Sequence, residues 1–216
     1  MGRNDIYLEI GAKRVFACAL EWPGWARSGR DEEAAIEALF DYRARYAKVV
    51  KRAVQTFKAP ARASSLKVVE RLDGNATRDF GAPGIVPAFD ADAPTPAQLS
   101  RLLAILRACW TAFDRTADGA STLRKGPRGG GRTLTKIQTH VLEAEQGYAA
   151  TVGLRARSRD LTGAHDAFVE AVSERARGEL PDTGPRGGAR WPARYGIRRA
   201  AWHVLDHAWE IEDRSD

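Results

Sequence analysis

Hydrophobic and polar positions follow a strand's period at the start of the chain and a helix's period over most of the rest. Residues 5–10 and 14–20 read as two strands, with a turn at Gly11, Ala12 and Lys13. Pro23 and Gly24, set between Trp22 and Trp25, break the pattern, and residues 26–28 read as a short third strand. Asp31, followed by Glu32 and Glu33, marks a helix start, because acidic groups suit the positive end of the helix dipole. Leu39, Tyr42, Tyr46, Val49, Val50, Ala53 and Phe57 then recur at helical spacing, which predicts one helix running out to Phe57. Residues 66–72 read as a further strand. The order strand, strand, strand, helix, strand predicts an α+β module over residues 1–75.

Residues 73–97 are rich in Pro, Gly and Asp and carry no period, so residues 76–93 are expected to form a linker. Thr95 then suits an N-cap and Pro96 the first helical position. Leu99, Leu102, Leu103, Leu106, Cys109, Trp110 and Phe113 form the apolar stripe of that helix. A second helix follows Thr133, with Ile137, His140, Val141, Ala144 and Tyr148 on one face. A third is expected over about residues 160–177, and a fourth over residues 195–214. Four helices with one apolar stripe each predict an all-α, up-and-down four-helix bundle over residues 94–216.

Composition fits a globular chain, at 216 residues with 44% hydrophobic and 29% charged positions. No apolar run approaches the roughly 20 residues of a membrane helix, and the N-terminus shows no signal sequence. The expectation is a cytoplasmic protein without a membrane partner. Cys18 and Cys109 are too few for a disulfide framework and read as small buried residues. The net charge is +6, but Arg outnumbers Lys 27 to 7, a bias that abundant Ala also suggests comes from a GC-rich coding sequence. A basic run from Arg43 to Arg62 contains no acid; without a motif it reads as a solvated face, so a nucleic-acid partner is not expected.

The chemistry concentrates in the histidines, of which there are four. His203 and His207 lie four residues apart, so both rings leave one face of the last helix about one turn apart. His140 in the second helix's stripe is the expected third ligand of a divalent metal. Three nitrogens leave coordination positions open, as in catalytic sites. Imidazoles suit Zn, Ni, Fe and Cu alike. Glu143, Asp206 and Glu210 are near enough in sequence to orient the rings or carry protons. His165 also lies on an apolar stripe and reads as a hydrogen-bonded core histidine. Two glycine loops nearly repeat, residues 126–132 and 184–190, each leading into a histidine-bearing helix. Side by side, they would place Arg128, Arg132, Arg186 and Arg190 around the site mouth to hold an anionic substrate.

Two family resemblances add to this reading. Residues 16–39, with Pro23 and Gly24 in a turn, Gly29, and the acidic start at Asp31, Glu32 and Glu33, resemble the HicB-like fold. That resemblance covers about the first 70 residues and implies binding or regulation. Residues 94–216 resemble the DinB-like superfamily, which includes mycothiol- and bacillithiol-dependent transferases and maleylpyruvate isomerase. Its pattern is one histidine on the second helix, here His140, and a His-x-x-x-His pair on the fourth, here His203 and His207. The resemblance implies one divalent metal (Zn, Ni or Fe), a small-molecule substrate, mycothiol or bacillithiol as thiol cofactor, and a homodimer. The expected activity is metal-dependent transfer, isomerisation or hydrolysis on a small anionic molecule. The alternative is a regulatory protein whose HicB-like module contacts a protein or RNA while the metal is structural.

Overall fold

The computed structural model describes residues 4–74, 81–125, 131–155 and 157–215. The chain begins with strands β1 (Asp5–Ile10), β2 (Val15–Ala19) and β3 (Ala26–Gly29), followed by helices α1 (Glu32–Asp41) and α2 (Arg43–Val50) and strand β4 (Lys67–Asp73). These four strands form one mixed sheet in the order β3-β2-β1-β4. β1 pairs antiparallel with β2, placing Leu8 opposite Ala17, and parallel with β4 on its other side. Between β2 and β3 the chain turns through Gly24, whose φ of 92° lies where residues with a Cβ are strained. The Asp31 side chain accepts the Ala34 N–H at 2.8 Å and so starts α1.

Both faces of the sheet are covered, which explains why β1 and β2 are buried almost throughout. Ile6, Leu8, Val15 and Ala17 face α1, in one core with Ala35, Leu39 and Tyr46. Tyr7, Phe16 and Cys18 face the other way, against Trp202 of the last helix and the partly buried Phe89.

The remaining elements are helical: a short turn α3 (Ala88–Ala91), then α4 (Pro96–Gly119), α5 (Leu134–Val152), α6 (Leu161–Ala176) and α7 (Ala193–Arg214). Thr95 and Gln98 cap α4 reciprocally with Pro96 at its first position, Thr133 caps α5 and Asp160 caps α6. Helix α7 is central. Sixteen of its twenty-two residues are buried, so it is enclosed on nearly all sides, by α4, α5, α6, α3 and the sheet.

The structure corrects two expectations. The single helix expected out to Phe57 bends at Tyr42 and ends at Val50. The Tyr42 ring packs on Trp209 with centroids 5.0 Å apart, and the turns after Val50 fold Phe57 back onto Trp22, Trp25 and Tyr46. Tertiary packing of aromatic rings has overridden a local helical pattern. The long helices also do not alternate in direction. Trp110 of α4 stacks on His165 of α6 and donates to Glu145 of α5, so residues 145 and 165 share a level. Further along both helices, Arg175 donates to the Val152 carbonyl. Helices α5 and α6 therefore run the same way, and the chain between them doubles back along α5, where the Ser158 N–H reaches the Gln146 side chain. Helix α7 runs opposite to α5, since Trp191 bonds Thr151 at one end and Arg214 bonds the Arg132 carbonyl at the other.

The described part of the expected linker lies on the sheet. The Gly84 N–H donates to Glu9 and the Ala88 N–H to Glu70, while Asp90 is buried against Arg198 of α7. One continuous hydrophobic cluster runs from Ile6 through Trp25, Leu106 and Val141 to Ile211, joining sheet and helices. No helix among the described residues is long and apolar enough to cross a membrane.

Candidate metal centre

The antiparallel pairing of α5 and α7 brings His140 opposite His203 and His207. The Nε2 atoms of His140 and His203 lie 3.1 Å apart. Ring centroids are 4.7 Å apart for His203 and His207, 5.0 Å for His140 and His203, and 5.1 Å for His140 and His207. One ring nitrogen from each histidine falls within 4.8 Å of the other two. Tetrahedral Zn–N bonds of about 2.0–2.1 Å would hold pairs of nitrogens about 3.4 Å apart, so the three donors need only small rotations to share one ion.

His207 is oriented. Its Nδ1 lies 3.0 Å from Glu210 Oε2. A carboxylate only accepts, so Nδ1 carries the proton and Nε2 keeps its lone pair for the site. Glu210 is in turn held by Arg214, whose Nη1 donates to Oε1 at 2.6 Å. Arg214 also donates to the carbonyls of Arg124 and Arg132, which anchors it to the loop before α5. Hydrogen bonds from His207 and Arg214 hold the Glu210 carboxyl below the usual range. Carboxylate–imidazole pairs of this kind fix the tautomer and raise ligand basicity at metal sites.

Burial pushes His203 down to about 2, helped by the neighbouring His207 and Arg199. Burial and the Arg132 charge lower His140 as well. Both rings are thus neutral at pH 7, the form that binds a metal. His203 Nδ1 is buried with no partner among the described residues. A chemically uniform donor set of three convergent imidazoles, one aimed by a carboxylate, fits a divalent cation of the borderline class.

The other expected site residues divide. Glu143 stands one turn from His140 and acts electrostatically on it. Arg132 acts on both His140 and His203. Asp206 does not join the site. It pairs with Arg27 of β3 at 2.9 Å, because it precedes His207 by one residue and so leaves the helix about 100° away from it. Arg132 and Arg190 do not share a mouth. Arg132 sits at the start of α5, whereas Arg190 bonds the Ala150 carbonyl at its end, about 27 Å away along the helix. Arg186 is exposed in the turn closed by Gly184 and Gly188, at that far end. Arg128 lies outside the described residues. His165 is half-buried, stacked on Trp110 with centroids 3.8 Å apart, and its buried Nε2 finds no partner among the described residues.

Two arginines escaped the sequence reading. Arg199, four residues before His203, lies over the Trp202 ring at 4.6 Å and the Tyr148 ring at 5.5 Å, with a buried Nη1 that has no partner among the described residues. Arg214 stands four residues after Glu210. The same helical spacing that joined His203 to His207 identifies both. Compared with family models, with curated proteins and with solved structures, the chain matches none.

Proposed function

We propose that the helical part is a DinB-like metal-binding bundle whose His140, His203 and His207 hold one divalent cation, and that the protein is a metal-dependent enzyme for a small anionic molecule. The observation that carries this reading is the convergence of the three imidazoles, with His207 turned inward by Glu210. When bound, the cation supplies Lewis acidity toward an oxygen or thiol sulfur of the reactants. The chain's own residues do the rest. Glu210 and Arg214 fix the His207 ring. Arg132 and Arg199 set a positive field that attracts an anion, and the unpaired Nη1 of Arg199 is available to hold it. Glu143 is the carboxylate closest in sequence to His140 and takes the role of proton carrier. Tyr148, packed edge-on, and Trp202, tilted against His203, keep water from the inner side of the site.

Transfer, isomerisation and hydrolysis all fit this constellation, with mycothiol or bacillithiol as the thiol of a transfer reaction. The sheet's close packing against α7 favours a second reading, in which a HicB-like module binds a partner and the metal braces the helices. Elemental analysis of the purified protein beside its His203→Ala/His207→Ala variant tests the metal. About one divalent ion per chain, lost in the variant, is expected. Metal-dependent turnover lost in His207→Ala with an unchanged fold supports the enzyme. A large fall in melting temperature on metal removal without any turnover supports the bracing role.

A further inference from the structure

A second site lies on the opposite side of α7. Between α2, α4 and α7 the surface opens into a groove of about 680 Å³, within the range of small-molecule sites. Its floor is apolar and close to the backbone: Ala104, Ala108 and Ala112 of α4, Val49 of α2, and Ala208 and Trp209 of α7. Its walls are cationic. Lys48, Lys51 and Arg52 line one side, Arg107 and Arg115 the other, and none of the five has an ion-pair partner among the described residues. A sixth cation, Arg45, is held by Glu212 at 2.6 Å and by Asp213 at 2.9 Å. Glu212 is the one acid among the lining residues, and it is paired with Arg45, which it shares with Asp213.

Five unpaired positive charges around one groove repel each other and raise the local potential. An anion of high charge density relieves that. A carboxylate carries a single charge, whereas each phosphate group brings about −1.5 to −2 and matches the planar fork of arginine. Arg107 and Arg115 are eight residues apart on α4, about 12 Å, with Ala108 and Ala112 between them. That length suits an elongated small molecule with phosphate at one end and an apolar or aromatic body. It is short for a nucleic-acid strand, which needs a track several nucleotides long and bases stacked on exposed rings. Trp209 is buried against Tyr42 and offers no such platform.

We propose that this groove binds a small phosphorylated organic molecule of the size and charge of a nucleoside diphosphate, independently of the histidine site. The test uses N-methylanthraniloyl-ADP as a fluorescent probe at low salt, with wild type, Arg107→Ala/Arg115→Ala and His203→Ala/His207→Ala proteins of matched melting temperature. Saturable binding is expected, weakened about tenfold or more by the arginine changes and unaltered by the histidine changes. Unlabelled ADP should displace the probe at lower concentration than inorganic pyrophosphate, because the floor contacts the organic part. Absent saturation, equal affinity in the arginine variant, or loss in the histidine variant overturns the proposal. So does displacement by a thymidine 20-mer at lower concentration than ADP, which would mark a nucleic-acid surface instead.

Discussion

Asp90 and Arg198, 108 residues apart, form a buried bidentate pair, with Nε to Oδ2 at 2.5 Å and Nη2 to Oδ1 at 2.8 Å. The same guanidinium donates to the carbonyls of Ala19 and Leu20 at the end of β2. One side chain of α7 thus ties together the sheet and the segment that crosses from it to the helices. Asp90→Ala would leave a buried cation short of its anion, which costs about 3–5 kcal/mol. Urea denaturation should show a midpoint lowered to match. A midpoint within error of wild type would mean that Arg198 finds water or another acid.

Glu210 and Asp206 are both acids beside the histidine pair, and the structure gives them opposite weights. Glu210→Gln should weaken Zn²⁺ binding about 10- to 100-fold in calorimetric titration, as loss of a carboxylate behind a ligating histidine does. Asp206→Asn should leave that affinity unchanged and cost well under 1 kcal/mol of stability, since its pair with Arg27 is partly exposed. Equal effects of the two would remove the orienting role assigned to Glu210.

Buried Glu145 gives a pH signature. Burial raises its carboxyl from 4.5 to about 8, and Oε2 has no partner among the described residues. The folded state keeps it neutral while the unfolded chain ionises it above pH 4.5. Its favourable contribution is therefore complete below about pH 4.5 and lost as pH rises toward 8. Glu145→Gln retains an acceptor for the Trp110 N–H, which reaches Glu145 at 3.2 Å. It should gain about 4 kcal/mol over wild type at pH 8 and nothing at pH 4. Parallel stability curves across that window would contradict the neutral assignment.

Gly29 ends β3 directly beneath α1. A Cβ there would overlap the backbone N of Ala35 and the carbonyl carbon of Ala34, neither of which can rotate aside. Gly29→Ala should cost more than about 3 kcal/mol by overpacking at a backbone contact. A thermal unfolding curve within a few degrees of wild type would show that α1 can slide away.

Much of this architecture is written locally. Caps at Asp31, Thr95, Thr133 and Asp160 mark helix starts by residue type alone, and the paired stripe of His203 and His207 follows from helical spacing. What escaped depends on contacts between distant segments. Nothing near Tyr42 announces the bend, because its cause is Trp209, and nothing in residues 153–160 announces that the chain retraces α5. The separation of Arg132 from Arg190 likewise follows from helix direction, which the near-identical sequences around them conceal. Asp206 is different: its 100° offset from His207 is arithmetic that the sequence already contained.

Helix α7 behaves as an axle. Arg198, Trp202 and Asp206 form one stripe along it, gripping Asp90, the Phe16 ring and Arg27. Arg199, His203 and His207 form the adjacent stripe, displaced by a single residue. Any axial twist that swung the imidazoles out of register would also wrench the salt-bridged stripe from the sheet. The sheet therefore serves as a torsional lock on the histidine cluster, and mutations on strand β2 or β3 can detune that cluster without approaching it.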